Sequence, residues 1–120
     1  MNNLLNGCRY LYALVIAGFG VQHFIYAGFV ATIVPGWIPW HLFWTYLVGL
    51  ALIMAAISIV IKKAARLACV LLGTMIFLFV VLIHLPLVMH NIYDGGKITN
   101  AFKDIGLGCC AFVLGSTLPK

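Results

Sequence analysis

Acid is what this sequence has least of. Its 120 residues contain two acidic side chains, Asp94 and Asp104, and no glutamate. Charged residues of either sign make up 8%, against about a quarter in a soluble domain. The seven basic residues give a net charge of +5. They form no aromatic-interleaved patch, which argues against nucleic acid as a partner. The four cysteines, Cys8, Cys69, Cys109 and Cys110, contain no Cys-x-x-Cys spacing, which argues against disulfide exchange. Cys109 and Cys110 are neighbours and would point about 100° apart on a helix. All four are expected as buried apolar thiols. Gly-x-Ser-x-Gly, phosphate-loop and dinucleotide fingerprints are missing too, so no hydrolase or nucleotide site is legible. The N-terminal apolar run has neither a strong basic leader nor an Ala-x-Ala site after it, so it is expected to be a span and not a signal peptide.

Apolar residues take up the rest. They make up 65% of the chain, and the mean hydropathy is +1.17. So short a chain cannot bury that much apolar surface in its own core, so lipid must cover it. Four runs reach the roughly 20 helical residues that a hydrocarbon core requires: about 3–26, 40–61, 66–89 and 100–118. Small and flat residues fall on one stripe in several of them, which lets helices approach closely. The first run has Ala13, Ala17, Gly20, Phe24, Ala27 and Ala31. The third has Gly73, Phe77, Val80 and His84; the fourth has Asp104, Gly108, Ala111 and Gly115. The turn holding Lys62, Lys63 and Arg66 is short, so the second and third runs form an antiparallel hairpin. Pro35, Gly36 and Pro39 forbid a continuous helix between the first and second runs. Trp37, Trp40 and Trp44 suit the headgroup layer there. Pro86 is expected to kink or loosen the end of the third run. The pattern predicts an all-α transmembrane four-helix bundle. It forms one integral-membrane domain over residues 1–120, with an apolar Trp/Pro interfacial loop between helices 1 and 2.

Basic residues set the expected orientation. Lys62, Lys63 and Arg66 form the densest basic turn, which is cytoplasmic under the positive-inside rule. Both termini then share that side, with Arg9 and Lys120, while Lys97 and Lys103 lie outside. This topology gathers His23, His41, His84 and His90 at the outer face, together with the polar stretch that runs to Asp104. Ionisable residues in or near spans are functional candidates, because burying them in lipid is costly. The ligand-binding candidates are His23, Trp37, Trp44, Tyr46, His84, Asn91, Lys103 and Asp104. One reading is a quinone-facing site, where imidazoles and aromatic walls meet the headgroup and Lys103 with Asp104 supply charge. Haem ligation by His23 and His84 is a second, disfavoured because no Cys-x-x-Cys-His or His-x-x-x-His spacing supports it. A third is a non-catalytic rim that binds a partner subunit or small ligand. A purely structural account has Asp104 pairing with a histidine or lysine to lock the helix ends. Asp94 to Lys97 reads as an exposed Gly-Gly turn. A short echo relates His23, Ile25, Tyr26 and Gly28 to His90, Ile92, Tyr93 and Gly95, as a duplicated two-helix unit would.

The order of these features resembles the DoxX-like family of small four-span bacterial membrane proteins. The resemblance rests on Gly20 to His23 at the end of the first run and on Pro35, Gly36, Trp37, Ile38 and Pro39. It rests also on Lys63, Arg66, Leu67 and Ala68 before the third run, His84 near its end, and Phe102, Lys103 and Asp104 opening the fourth. It extends from about Gly18 to Leu114. It implies a four-helix bundle in the bacterial cytoplasmic membrane, acting as an accessory or quinone-interacting subunit of a membrane redox system. Implied partners are the bilayer, a redox-enzyme subunit or further copies of the chain. The alternative is a non-enzymatic scaffold or small-ligand carrier. Many relatives carry a glutamate early in the second span, whereas Thr45 to Met54 contain no acid.

Overall fold

A computed structural model describes residues 2–90 and 92–118. Four long helices form the molecule: α1 (Asn2–Ile25), α3 (His41–Ile61), α4 (Ala65–His90) and α5 (Gly95–Ser116). A short helix, α2 (Ala27–Ala31), follows α1. All four long helices are long and apolar enough to cross a membrane. Leu14, Met54, Leu71 and Val113 stand exposed on the outside. A surface of that kind needs an apolar medium around it. The chain is an all-α, multi-pass membrane protein.

The helices pack as two hairpins. α1 lies antiparallel on α3, α4 lies antiparallel on α5, and α3 joins α4 across the middle. Glycine permits each close crossing. A Cβ on Gly20 would stand 2.9 Å from the Gly49 carbonyl oxygen, and one on Gly108 would stand 2.8 Å from the Phe77 ring. The buried core contains Ala13, Ile16, Leu52, Ile59, Cys69, Leu72 and Ala111. It sits toward the end where α1 begins. No residue of Val80–His90 is buried.

An arginine closes each hairpin at that end. Arg9 of α1 donates from Nη1 to the carbonyls of Ile59 (2.7 Å) and Val60 (3.2 Å). Arg66 of α4 donates from Nε to Leu118 (3.0 Å) and from Nη2 to Ser116 (3.3 Å). Terminal carbonyls of a helix lack intrahelical donors and carry the negative end of its dipole. A guanidinium from the neighbouring helix serves both needs.

Several boundaries differ from expectation for local reasons. α5 starts at Gly95, five residues before the expected 100. Asp94 caps it, and its Oδ1 accepts from the N–H groups of Gly96 (3.0 Å) and Lys97 (3.2 Å). The cap outweighs the poor helix propensity of two glycines, so Gly95 to Lys97 form a first helical turn and not a loop. Of the four cysteines only Cys69 is buried; Cys8, Cys109 and Cys110 are exposed. Their helix faces point outward. The internal echo does not match the structural halves. Arg9, Ala13, Ile16 and Gly20 correspond in burial to Ala65, Cys69, Leu72 and Ile76. That offset is 56 positions, whereas His23 and His90 are 67 apart.

The turn between α3 and α4 needs left-handed backbone at Lys62 (φ 61°) and Ala64 (φ 51°), and Trp40 (φ 59°) enters α3 the same way. Near its end α4 widens into a π turn over Val80–His84, where the Leu85 N–H reaches back to the Val80 carbonyl. Pro86 follows directly and has no N–H to offer.

Candidate functional site

The π turn delivers His84. A wide turn holds one more residue than an α turn, so it rotates His84 relative to Gly73 and Phe77 on the same helix. On the facing helix, Asp104 lies one turn before Gly108 and two before Ala111, both buried against α4. The two side chains meet. His84 Nε2 stands 2.6 Å from Asp104 Oδ2, with the side chains only 16% and 14% exposed. At that separation the imidazole N–H donates to the carboxylate. Lys103 Nζ lies 3.4 Å from Oδ1, so both carboxylate oxygens face a cation or donor.

α1 joins the group through Phe19. The Lys103 ammonium sits 4.7 Å from the centroid of that ring, a cation–π distance. The Phe19 carbonyl accepts from His23 Nδ1 at 2.7 Å. That bond fixes the His23 proton on Nδ1 and leaves Nε2 as the acceptor of the neutral ring. His23 also marks the α1–α3 crossing, since a Cβ on Gly49 would meet His23 Cβ at 2.8 Å. Three helices thus place one carboxylate, two imidazoles, one ammonium and one aromatic ring at one end of the bundle.

The other sequence candidates lie apart from the pair. Tyr46 stacks on Phe24 with ring centroids 5.6 Å apart. Trp44 meets Phe43 edge to face, and Trp37 is exposed in the loop before α3. Asn91 lies outside the described residues. Among the described residues, no three His, Cys, Asp or Glu side chains converge as a metal-binding group. Sequence reading missed Phe19, which looks like one more apolar residue of α1. It also took Arg9 only as an orientation charge. A charged residue inside the first span was the signal available.

What this arrangement can do chemically is limited and definite. An imidazole held by a carboxylate can accept or give one proton while the carboxylate stabilises the charged form. Lys103 adds a fixed positive charge beside it. The fold and the pair define a class: a small multi-pass helical membrane protein with a half-buried ionisable pair between two spans. The chain belongs to the family described as a domain of unknown function (DUF8561), which matches residues 12–102. The match covers α1 from Tyr12 through the start of α5 and ends one residue before Lys103. No curated protein and no solved structure matches the chain.

Proposed function

We propose that the protein is an accessory, quinone-interacting subunit of a bacterial cytoplasmic-membrane redox system, with His84 and Asp104 handling a proton at the headgroup. The observation that carries this reading is the 2.6 Å His84–Asp104 contact between α4 and α5. A quinone carbonyl needs a donor, and its reduction takes up protons at that oxygen. A carboxylate-backed imidazole supplies both within reach of the lipid phase where quinones dissolve. Lys103, held on Phe19, stabilises a reduced anionic headgroup. The likeness to DoxX-like proteins at Phe102, Lys103 and Asp104 supports the same assignment. Both termini are cytoplasmic in this reading, which puts the pair near the outer face.

The test is binding. Protein purified in detergent should retain extractable quinone or shift the spectrum of an added quinol. His84→Ala and Asp104→Asn should each weaken that binding about tenfold, the loss of one hydrogen bond to a charged or polarised group. Wild-type protein with no quinone and no spectral shift would sink the proposal. Orientation has its own test: outside labelling should mark Asp94→Cys and spare Lys63→Cys, in a background without the native cysteines.

A second reading is a non-enzymatic scaffold or small-ligand carrier. One observation favours it: Asp104 already engages both its oxygens with His84 and Lys103. In that case the pair locks α4 to α5, and its removal changes stability with no effect on quinone.

A further inference from the structure

The opposite end of the bundle carries a cation with too few partners. Arg9 is 5% exposed, and its two hydrogen bonds both come from Nη1. Its guanidinium also lies 4.4 Å from the centroid of the Tyr10 ring. Nε and Nη2 make no hydrogen bond among the described residues, yet no fully buried side-chain nitrogen lacks a partner. Those nitrogens therefore keep some exposure, and Arg9 lines a groove of about 520 Å³ between α1 and α5. Neither Asp94 nor Asp104 lines it. Lys62 does, and Asn2 and Asn6 add amides one turn apart on α1. The far wall is apolar, with Leu5, Val113 and Leu114.

We infer that this groove binds the headgroup of an anionic phospholipid. Among the described residues no carboxylate pairs with Arg9; a guanidinium so far out of water is costly without a countercharge, and backbone carbonyls offset only part of that cost. A phosphate between Arg9 and Lys62 supplies the missing anion and matches the fork of Arg9. The volume falls in the roughly 300–1,000 Å³ range of small-ligand sites. The apolar wall beside the cations selects a lipid over a free ion, because the first part of an acyl chain can lie along it. Basic pockets between membrane helices take anionic headgroups in this way. The site is independent of His84 and Asp104.

The experiment uses the full chain in detergent, with phosphatidylglycerol, phosphatidylcholine or inorganic phosphate added. Native mass spectrometry reads retained lipid and thermal unfolding reads protection. Phosphatidylglycerol should remain as a single adduct and raise the unfolding temperature, and the other two should do neither. Lys62→Gln should weaken the effect about fivefold, the loss of one basic side chain near an anionic surface. Val113→Trp fills the groove from α5 while leaving both Arg9 and Lys62 in the chain, and should abolish the adduct. Equal retention of phosphatidylcholine would overturn the inference. So would equal protection by inorganic phosphate, which would mark a simple anion site, and so would phosphatidylglycerol binding that both variants leave unchanged.

Discussion

The two ends of this bundle are built on opposite plans. At one end, two arginines reach across their hairpins to backbone carbonyls, and the apolar core is packed beneath them. At the other, α4 widens into a π turn, its last eleven residues include none that is buried, and the contact between α4 and α5 runs from side chain to side chain through His84 and Asp104. The first plan satisfies groups that every helix end leaves open. The second spends side chains on a pair that no helix needs for its own termination. Strength and adaptability are thus separated along the membrane normal. Low local packing is where motion and ligand response concentrate.

The sharpest way to break that contrast is to remove Arg9. Arg9→Ala deletes two charge-assisted bonds from a buried site and should cost about 3 kcal/mol, measured by thermal unfolding in detergent. Arg66→Ala should cost less, because Arg66 is only half-buried. Equal losses for Arg9→Ala and His84→Ala would erase the distinction between the ends. Next in size is Asp104→Asn, expected to cost about 1–2 kcal/mol by weakening the contacts with His84 and Lys103. It should exceed Asp94→Asn, and matching unfolding temperatures would place Asp104 in water. A gain is expected at the arginine end. Ala64 holds a left-handed conformation at φ 51°, so Ala64→Gly should stabilise by about 1 kcal/mol. A loss there would mean that the turn relaxes away from this geometry.

The smallest effect belongs to Asp94. The Lys97 backbone N–H, aided by the Lys97 ammonium, holds its carboxyl below the usual carboxylate range. A depressed carboxyl contributes stability above its unfolded pKa and loses it as pH falls through the folded value. The gap between wild type and Asp94→Asn should therefore exist at neutral pH and close in the acid range below about pH 4. A gap that persists in acid would assign the effect to something other than the charge. Asp94→Ala should fray α5 at neutral pH as well, since it removes the cap itself.

The fold was legible because its signals are long. Four apolar runs, the Lys62 to Arg66 turn and the stripe from Asp104 to Gly115 each repeat one message over many residues. Asp104 faces its neighbour as that stripe requires. What the sequence hides is local or carried by the backbone. The π turn leaves no composition signature, so the fit of His84 to Asp104 could be named as a pairing but not placed. The acceptors of Arg9 are carbonyls, which every residue has, so nothing marks Ile59 and Val60 beforehand. At Asp94 two signals compete: a capping side chain and two helix-breaking glycines. The cap prevails because its oxygen is shared by two N–H groups.

The arginine closures also set an order of assembly. Arg9 enters the bilayer on the first helix, but its acceptors lie 50 and 51 residues later in the chain. Until α3 is inserted, that guanidinium must reach for the interface. Once Val60 is in place, the first hairpin can seal without α4 or α5. Arg66 then repeats the step with Ser116 and Leu118. The protein can be made as two self-closing halves, each finished by a residue synthesised at its beginning. A chain ending at Lys63 should already hold α1 against α3, and failure of Cys substitutions at Phe24 and Tyr46, whose rings stack 5.6 Å apart, to crosslink in that fragment would refute sequential closure.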